Sequence, residues 1–255
     1  MQIIKKHNDL KLFLDSFREK NNEVVLVPTM GGLHDGHLSL VEKAKDLAEI
    51  VVVSIFVNPT QFARGEDFDD YPNTFDDDKL LLESQNVDIL FLPSKEEIYP
   101  DGTVSDYKVG HIGQILCGAF RPTHFDGVAQ VVKRFFEIVE PNYAIFGEKD
   151  FQQLLIIKSL VKNLDLNIKI ESMPTQREKD GLAMSTRNQY LSDENRKRAS
   201  NFYLALSDAK KSIQAGKSIH IAKEDAINLL NKDFEVEYLE VLDANNLTQI
   251  QTKTS

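Results

Sequence analysis

The chain has 255 residues, 42% of them apolar and 27% charged, with 30 basic against 40 acidic side chains and a net charge of −10. Such a length supports one large domain or two, and the acidic balance excludes an extended nucleic-acid surface, which needs a strong positive field. A single cysteine, Cys117, excludes an internal disulfide and fits a reducing cytoplasm, and neither a leader-like pattern nor an apolar run of membrane-spanning length is present.

In chain order, apolar runs fall at residues 24–27, 51–57, 89–92, 144–146 and 168–170, the first four without strict alternation. Parallel strands buried on both faces read this way. Helical spacing occupies 38–48, 75–84, 128–139 and 151–163, between those runs. The alternation predicts an α/β fold, a Rossmann-like doubly wound parallel sheet with right-handed crossovers, which binds its ligands at the carboxyl ends of the strands.

The pattern changes at Pro174, which places a boundary between a domain at 1–175 and a smaller α+β domain at 176–255. After a polar stretch, Ser192 opens a helix, with Asn195 standing where a capping-box acid would. Helical spacing runs to about Ala215, stops at Gly216, resumes over 221–230, and gives way to strand-like alternation over 235–242. A lone strand is an incomplete sheet, so this unit is expected to be truncated or completed by short elements.

The chemistry concentrates at Pro28 to His37, which read Pro-Thr-Met-Gly-Gly-Leu-His-Asp-Gly-His between the first strand and the first helix of that series. A strand, a glycine-rich turn and a helix N-terminus together favour phosphate, because unpaired backbone N–H groups and the positive helix end face the ligand. Two imidazoles there can donate to phosphoryl oxygens without a fixed charge. Metal coordination and chance surface placement are the lesser alternatives; zinc needs three or four ligands, and His7, His111, His124 and His220 form no second cluster. Neither a Walker-type loop nor Gly-x-Gly-x-x-Gly occurs. Asp76, Asp77 and Asp78 open a helical pattern, where the helix dipole alone favours acids. Cys117 has no paired base, which argues against a thiol nucleophile.

His34-x-Gly-His37 resembles the His-x-Gly-His signature of the adenylylating and nucleotidyl-transfer superfamily. Four further segments narrow the resemblance: Ser54 to Phe62, Arg121 to Phe125, Phe146 to Gln153 and Asp180 to Asn188. With Pro28 to His37 they appear in family order, and together they resemble the pantothenate synthetase (pantoate–β-alanine ligase) family. The resemblance implies joining of pantoate to β-alanine with ATP through a pantoyl-adenylate, releasing pyrophosphate and then AMP. Rival readings are another nucleotidyltransferase of the superfamily and a non-catalytic nucleotide sensor.

The resemblance also implies residue roles. His37, His34, Lys149, Ser185 and Arg187 would carry the adenylation chemistry. ATP would lie against Met30, Gly31, Gly32, Leu33, His34, Asp35, Gly36 and His37, against Gly147, Glu148, Lys149 and Asp150, and against Gln176, Met184, Ser185, Thr186 and Arg187. Gln61 and Gln153 would hold pantoate, with Gln61 also meeting β-alanine. Asp77 or Asp78 would help place Mg2+, a hard oxygen-seeking cation. The smaller domain would act as a lid over a nucleotide site, in a cytoplasmic homodimer with no nucleic-acid or membrane partner. Thr186 stands where the family form carries a second serine, and Thr123 where it carries glycine; the second change bears on the conformation of that loop.

Overall fold

The computed structural model describes residues 1–63, 65–104 and 107–250. The chain divides into two compact units, Met1–Thr175 and Gln176–Ser255.

In the first unit the elements run β1 (Gln2–Ile4), α1 (His7–Arg18), β2 (Val24–Thr29), α2 (Asp35–Leu47), β3 (Ile50–Ile55), α3 (Phe75–Ser84), β4 (Ile89–Phe91) and α4 (Lys95–Ile98). They continue with α5 (Cys117–Phe120), α6 (His124–Val139), β5 (Tyr143–Gly147), α7 (Phe151–Asn163) and β6 (Lys169–Met173). The six strands form one parallel sheet in the order β1-β4-β3-β2-β5-β6. The Rossmann-like α/β expectation holds.

The apolar runs explain both layers. In β2, Val24 and Leu26 enter the core shared with α1 and α6, whereas Val25 and Val27 enter the core shared with α2 and α3. None of the four is exposed, and burial stabilises each by about 1.5–3 kcal/mol. A strand covered on both faces therefore shows no alternation. β3 and β4 lie on one side of β2 and β5 on the other, so the order reverses between β2 and β5. The crevice at that reversal is where open α/β sheets bind ligands.

Some boundaries differ from the sequence reading. β1 and α1 were not anticipated, α6 starts at His124 rather than 128, and β6 ends at Met173. A three-residue edge strand is too short to show a period. α6 starts early because Thr123 precedes it in the left-handed region at φ 69°, turning the chain into the helix.

The second unit is built on α8 (Asp193–Gln214) and α9 (Ile219–Leu230), which pack around Ala205, Ala226, Leu230 and Leu239. The Ser192 and Ser218 hydroxyls cap these helices by accepting from the N–H groups of Asn195 and Ile221. The strand expected at 235–242 is not formed. Leu242 makes only an isolated bridge to Gln249, and Val236 and Leu239 pack on the helices instead. A strand would put Val236 and Leu239 on opposite faces, whereas both join the cluster of α8 and α9. Among the described residues no helix is long and apolar enough to cross a membrane.

Candidate active site

The turn after β2 is arranged differently from a simple phosphate cradle. Gly31 and Gly32 sit at φ 86° and 63°, a region that L side chains avoid. Their conformation aims the N–H groups of Gly32 and Leu33 at the Asp78 carboxylate, at 2.9 and 2.7 Å. The Gly31 N–H donates to the Thr29 hydroxyl at 3.3 Å. Asp78, only 2% exposed in the first turn of α3, also accepts from the Thr74 hydroxyl at 3.1 Å. The three turn donors expected to face phosphate are thus satisfied within the protein, with a carboxylate in the anion's place.

The same bonds bear on Asp77 and Asp78 as candidate metal residues. Both oxygens of Asp78 are engaged in holding the turn, and Asp77 is an exposed residue in the first turn of α3. No cluster of three His, Cys, Asp or Glu groups suited to a metal occurs among the described residues. The pair forms no protein-only metal cluster of that kind, and no chemical step is assigned to Mg2+.

The two histidines that follow the turn are tied to the start of α2. The His34 side chain caps α2: its Nδ1 accepts from the Gly36 N–H at 3.1 Å, while His37 Nδ1 accepts from the His34 N–H at 3.3 Å. A nitrogen that accepts carries no proton, so each neutral ring bears its hydrogen on Nε2. The rings lie 4.1 Å apart between centroids. Burial, His34 and Lys149 push His37 down to about 3, and burial followed by Lys149 lowers His34. The site therefore offers two neutral Nε2–H donors at neutral pH, fixed by the helix cap rather than by sequence spacing alone. Asp35 is exposed, and Gly36 serves the cap.

At the end of β5, a short 3-10 turn at Glu148–Asp150 leads into α7. Glu148 accepts from the Ser172 hydroxyl at 2.9 Å, and Lys149 stands 3.8 Å from Asp150. The space where a Gly147 side chain would stand is open. The Lys149 charge lowers the pKa of both histidines.

A cavity of about 170 Å³ lies below, bounded by His37, Met30, Gln61, Asp150 and Gln153. Its apolar wall comes from Phe56 and Phe146 and from α6 through Val128, Val131 and Phe135. The two glutamines, far apart in sequence, meet here. The neighbouring Gln152 turns elsewhere and donates to the carbonyls of Ile112 and Ile115, both at 2.8 Å, so only Gln153 faces the cavity.

Sequence reasoning missed the groups that aim Gln61. Asn58, 1% exposed, donates to Gln61 Oε1 at 3.2 Å and to the Gly127 carbonyl at 3.2 Å, and its own Oδ1 accepts from the Tyr99 hydroxyl at 2.7 Å. With its oxygen toward Asn58, Gln61 turns Nε2 toward Met30 Sδ at 3.0 Å. Burial pushes the Tyr99 phenol up to about 12, keeping it a donor. An asparagine at a buried strand exit before proline was the legible signal for Asn58; nothing local marked Tyr99 or the cavity-lining Tyr71.

In the second unit, a bridge between Arg177 and Ala183 closes a tight hairpin with Gly181 at φ 93°. Its tip packs on Tyr203 of α8: a Cβ at Gly181 would lie 2.6 Å from that ring, and the Arg177 guanidinium stacks 3.7 Å above it. The hairpin presents Gln176 and Met184 bonded to each other (Met184 N–H to Gln176 O, 2.9 Å), followed by Ser185, whose hydroxyl accepts from the Arg187 N–H at 3.3 Å. Thr186 and Arg187 open a short 3-10 turn. The five residues of this half of the expected nucleotide site therefore share one hairpin and the turn that follows it.

A parallel α/β sheet with paired imidazoles capping the helix at its switch point defines an enzyme of the His-x-Gly-His type. A family model described as pantoate–β-alanine ligase matches residues 2–255. A pantothenate synthetase of Ruthia magnifica is 51% identical over 254 residues, covering 100% of this chain and 91% of the relative. The crystal structure of pantothenate synthetase from Thermus thermophilus superposes with a TM-score of 0.91 at 40% identity, covering 98% of this chain and 90% of that one. The Francisella tularensis pantoate–β-alanine ligase, solved with β,γ-ATP and β-alanine, gives 0.77 at 38% identity and covers 90% and 86%. The chain belongs to the pantoate–β-alanine ligase family.

Proposed function

We propose that this chain condenses pantoate with β-alanine in two steps at the β2/β5 crevice, using ATP. The observation that carries the reading is the cavity in which Gln61, Gln153 and the His37 ring meet an apolar wall. At about 170 Å³ it suits a small branched hydroxy acid rather than a nucleotide. Glutamine amides pair with hydroxyl and carboxylate groups through both donor and acceptor, and the apolar wall takes methyl groups.

In the first step the pantoate carboxylate attacks the α-phosphorus of ATP, forming pantoyl-adenylate and releasing pyrophosphate. Negative charge grows on the phosphoryl oxygens, and preorganised donors aimed there lower the barrier. The Nε2–H groups of His34 and His37 supply these donors, and Lys149 a point charge that follows the phosphates. Ser185, Thr186 and Arg187 supply hydroxyls and a planar fork for phosphate oxygens. The unit at 176–255 serves as a lid that keeps water from the acyl-adenylate. In the second step the free amine of β-alanine attacks the acyl carbon, AMP leaves and pantothenate forms. β-Alanine meets Gln61, and the enzyme works as a cytoplasmic homodimer.

The Francisella ligase, in complex with β,γ-ATP and β-alanine, supports the ATP and β-alanine assignments. Pantoate-dependent ATP–pyrophosphate exchange without β-alanine tests the scheme. Exchange that requires pantoate and proceeds without the amine is expected. Pantothenate production with no exchange under any condition would refute the adenylate route. The amine must be deprotonated to attack, so the single-turnover rate of the second step should rise with pH across neutrality.

A further inference from the structure

His124 contacts the backbone of Gln61, and the two-step scheme gives it no role. It opens α6 directly after Thr123, and its ring packs against Phe125 at 4.9 Å. Its Nδ1 lies 2.6 Å from the Gln61 carbonyl oxygen, and its Nε2 lies 3.2 Å from Nη1 of Arg121. A carbonyl only accepts and a guanidinium only donates, so Nδ1 must carry the hydrogen and Nε2 must be bare. The carbonyl requires hydrogen on Nδ1 and the guanidinium requires a bare Nε2, and together they leave one neutral tautomer. It is opposite to that of His34 and His37, whose Nδ1 atoms accept.

The other face of the Arg121 fork is fixed. Its Nε and Nη2 donate to the two Glu66 oxygens at 2.6 and 2.5 Å, a bidentate pair that aims Nη1 at the imidazole. The charged and titratable groups around the ring are Arg121, Glu66 and Asp150, with the Cys117 thiol beyond on Arg121. Burial is the largest influence on the ring and lowers its pKa, aided by Arg121 and opposed by the Gln61 carbonyl, Glu66 and Asp150. Three residues on from His124, the backbone of the same helix seats the turn from a second side. A Cβ on Gly127 would lie 2.2 Å from the Thr60 carbonyl oxygen, and the Gly127 carbonyl accepts from Asn58. The start of α6 therefore grips the turn at residues 58–61 at two points, one of them a directional hydrogen bond to the residue whose amide faces the cavity.

We propose that His124 is a positioning residue for substrate: held as the Nδ1–H tautomer by Arg121 and Glu66, it anchors the Gln61 backbone and so sets the Gln61 amide for the hydroxy acid. The proposal rests on the pantoate role of Gln61 given above. It makes Arg121 and Glu66 part of the specificity apparatus, acting through the imidazole without touching substrate. The anchor acts on acid binding before any phosphoryl transfer, so its loss falls on the KM for pantoate rather than on ATP.

The test uses the full chain. A long-range 1H–15N spectrum of the labelled protein, assigned with a His124→Asn control, reads the tautomer; hydrogen on Nδ1 is expected, and hydrogen on Nε2 overturns the proposal. In the exchange assay, His124→Phe keeps the ring but neither hydrogen bond, and one lost bond predicts a rise of about tenfold in the KM for pantoate, with that for ATP within about twofold. His124→Asn restores an N–H where Nδ1 stands and should stay within about threefold of the parent, whereas His124→Gln, whose amide reaches too far, should behave like the Phe variant. An unchanged KM for pantoate in a folded His124→Phe, or equal values for the Asn and Gln variants, overturns the proposal; the Asn–Gln comparison decides if the Phe variant does not fold. Gln61→Ala separates the two readings. An unchanged KM for pantoate there refutes the role of Gln61 itself, whereas a raised value there with an unaffected His124→Phe refutes only the positioning.

Discussion

Replacing Asp78 by asparagine separates an anchor from a metal ligand, since the change keeps the shape and removes the charge. In the native protein the two carboxylate oxygens accept from Gly32 N–H, Leu33 N–H and the Thr74 hydroxyl, inside a site that is 2% exposed. An asparagine amide can accept from only one of the two backbone N–H groups, because its nitrogen must face the other. The orphaned buried donor costs about 1–3 kcal/mol. The surviving bond falls from charge-assisted to neutral strength, a further loss of about 1 kcal/mol. The sum, about 2–4 kcal/mol, is a large part of the stability of an ordinary domain. Urea denaturation at neutral pH reads it as a lower midpoint with an unchanged slope. Asp77→Asn, at an exposed position, should shift stability by less than about 0.5 kcal/mol. If Asp78→Asn denatures like the parent while its magnesium requirement for turnover rises, Asp78 is a ligand and the anchor reading is wrong.

Three more outcomes are expected. His37→Ala should lower pantoate-dependent exchange by about 10²-fold or more without abolishing ATP binding; near-parental exchange would remove His37 from the phosphoryl chemistry. The folded His37 titrates at about 3 against an ordinary 6.5, so below 6.5 the unfolded chain binds the additional proton and stability falls as pH falls. Between pH 7 and pH 5 this contributes about 2 kcal/mol of acid destabilisation, with His34 and His124 acting in the same direction. His37→Gln should flatten that slope in denaturation measured at the two pH values, and an equally steep slope would count against a buried neutral ring. Gly31→Ala places a Cβ 3.1 Å from Asp78 Oδ2 on left-handed backbone, which should lower stability by about 2 kcal/mol in a urea titration. Conversely, Thr123→Gly relieves a β-branched residue at φ 69° and should raise the denaturation midpoint slightly, since the added freedom of the unfolded chain offsets part of the gain.

Local pattern was enough for five of the sheet's six strands. Runs such as 51–57 lack alternation because helices cover both faces of the strand, and that is a property of the residues themselves. The crevice was legible for the same reason, since residues 30–37 and 147–153 each follow such a run. Elsewhere the pattern misled. Alternation at 235–242 arises equally from a strand and from an extended segment lying against two helices, and only the packing of Val236 and Leu239 tells them apart.

By itself the sequence determined the parallel α/β architecture, the place of His34 and His37 at a strand-to-helix turn, and the kinship carried by five ordered segments. Tertiary structure decided what those groups are free to do. Whether the turn's N–H groups meet an external anion or the Asp78 carboxylate depends on a contact 45 to 46 residues away in the chain. The hydrogen on each imidazole is set by what faces the other nitrogen: a helix cap for His34 and His37, a carbonyl and a guanidinium for His124. Residue type supplies a donor or an acceptor, and the folded surroundings, near in the chain or distant, determine whether it is already satisfied.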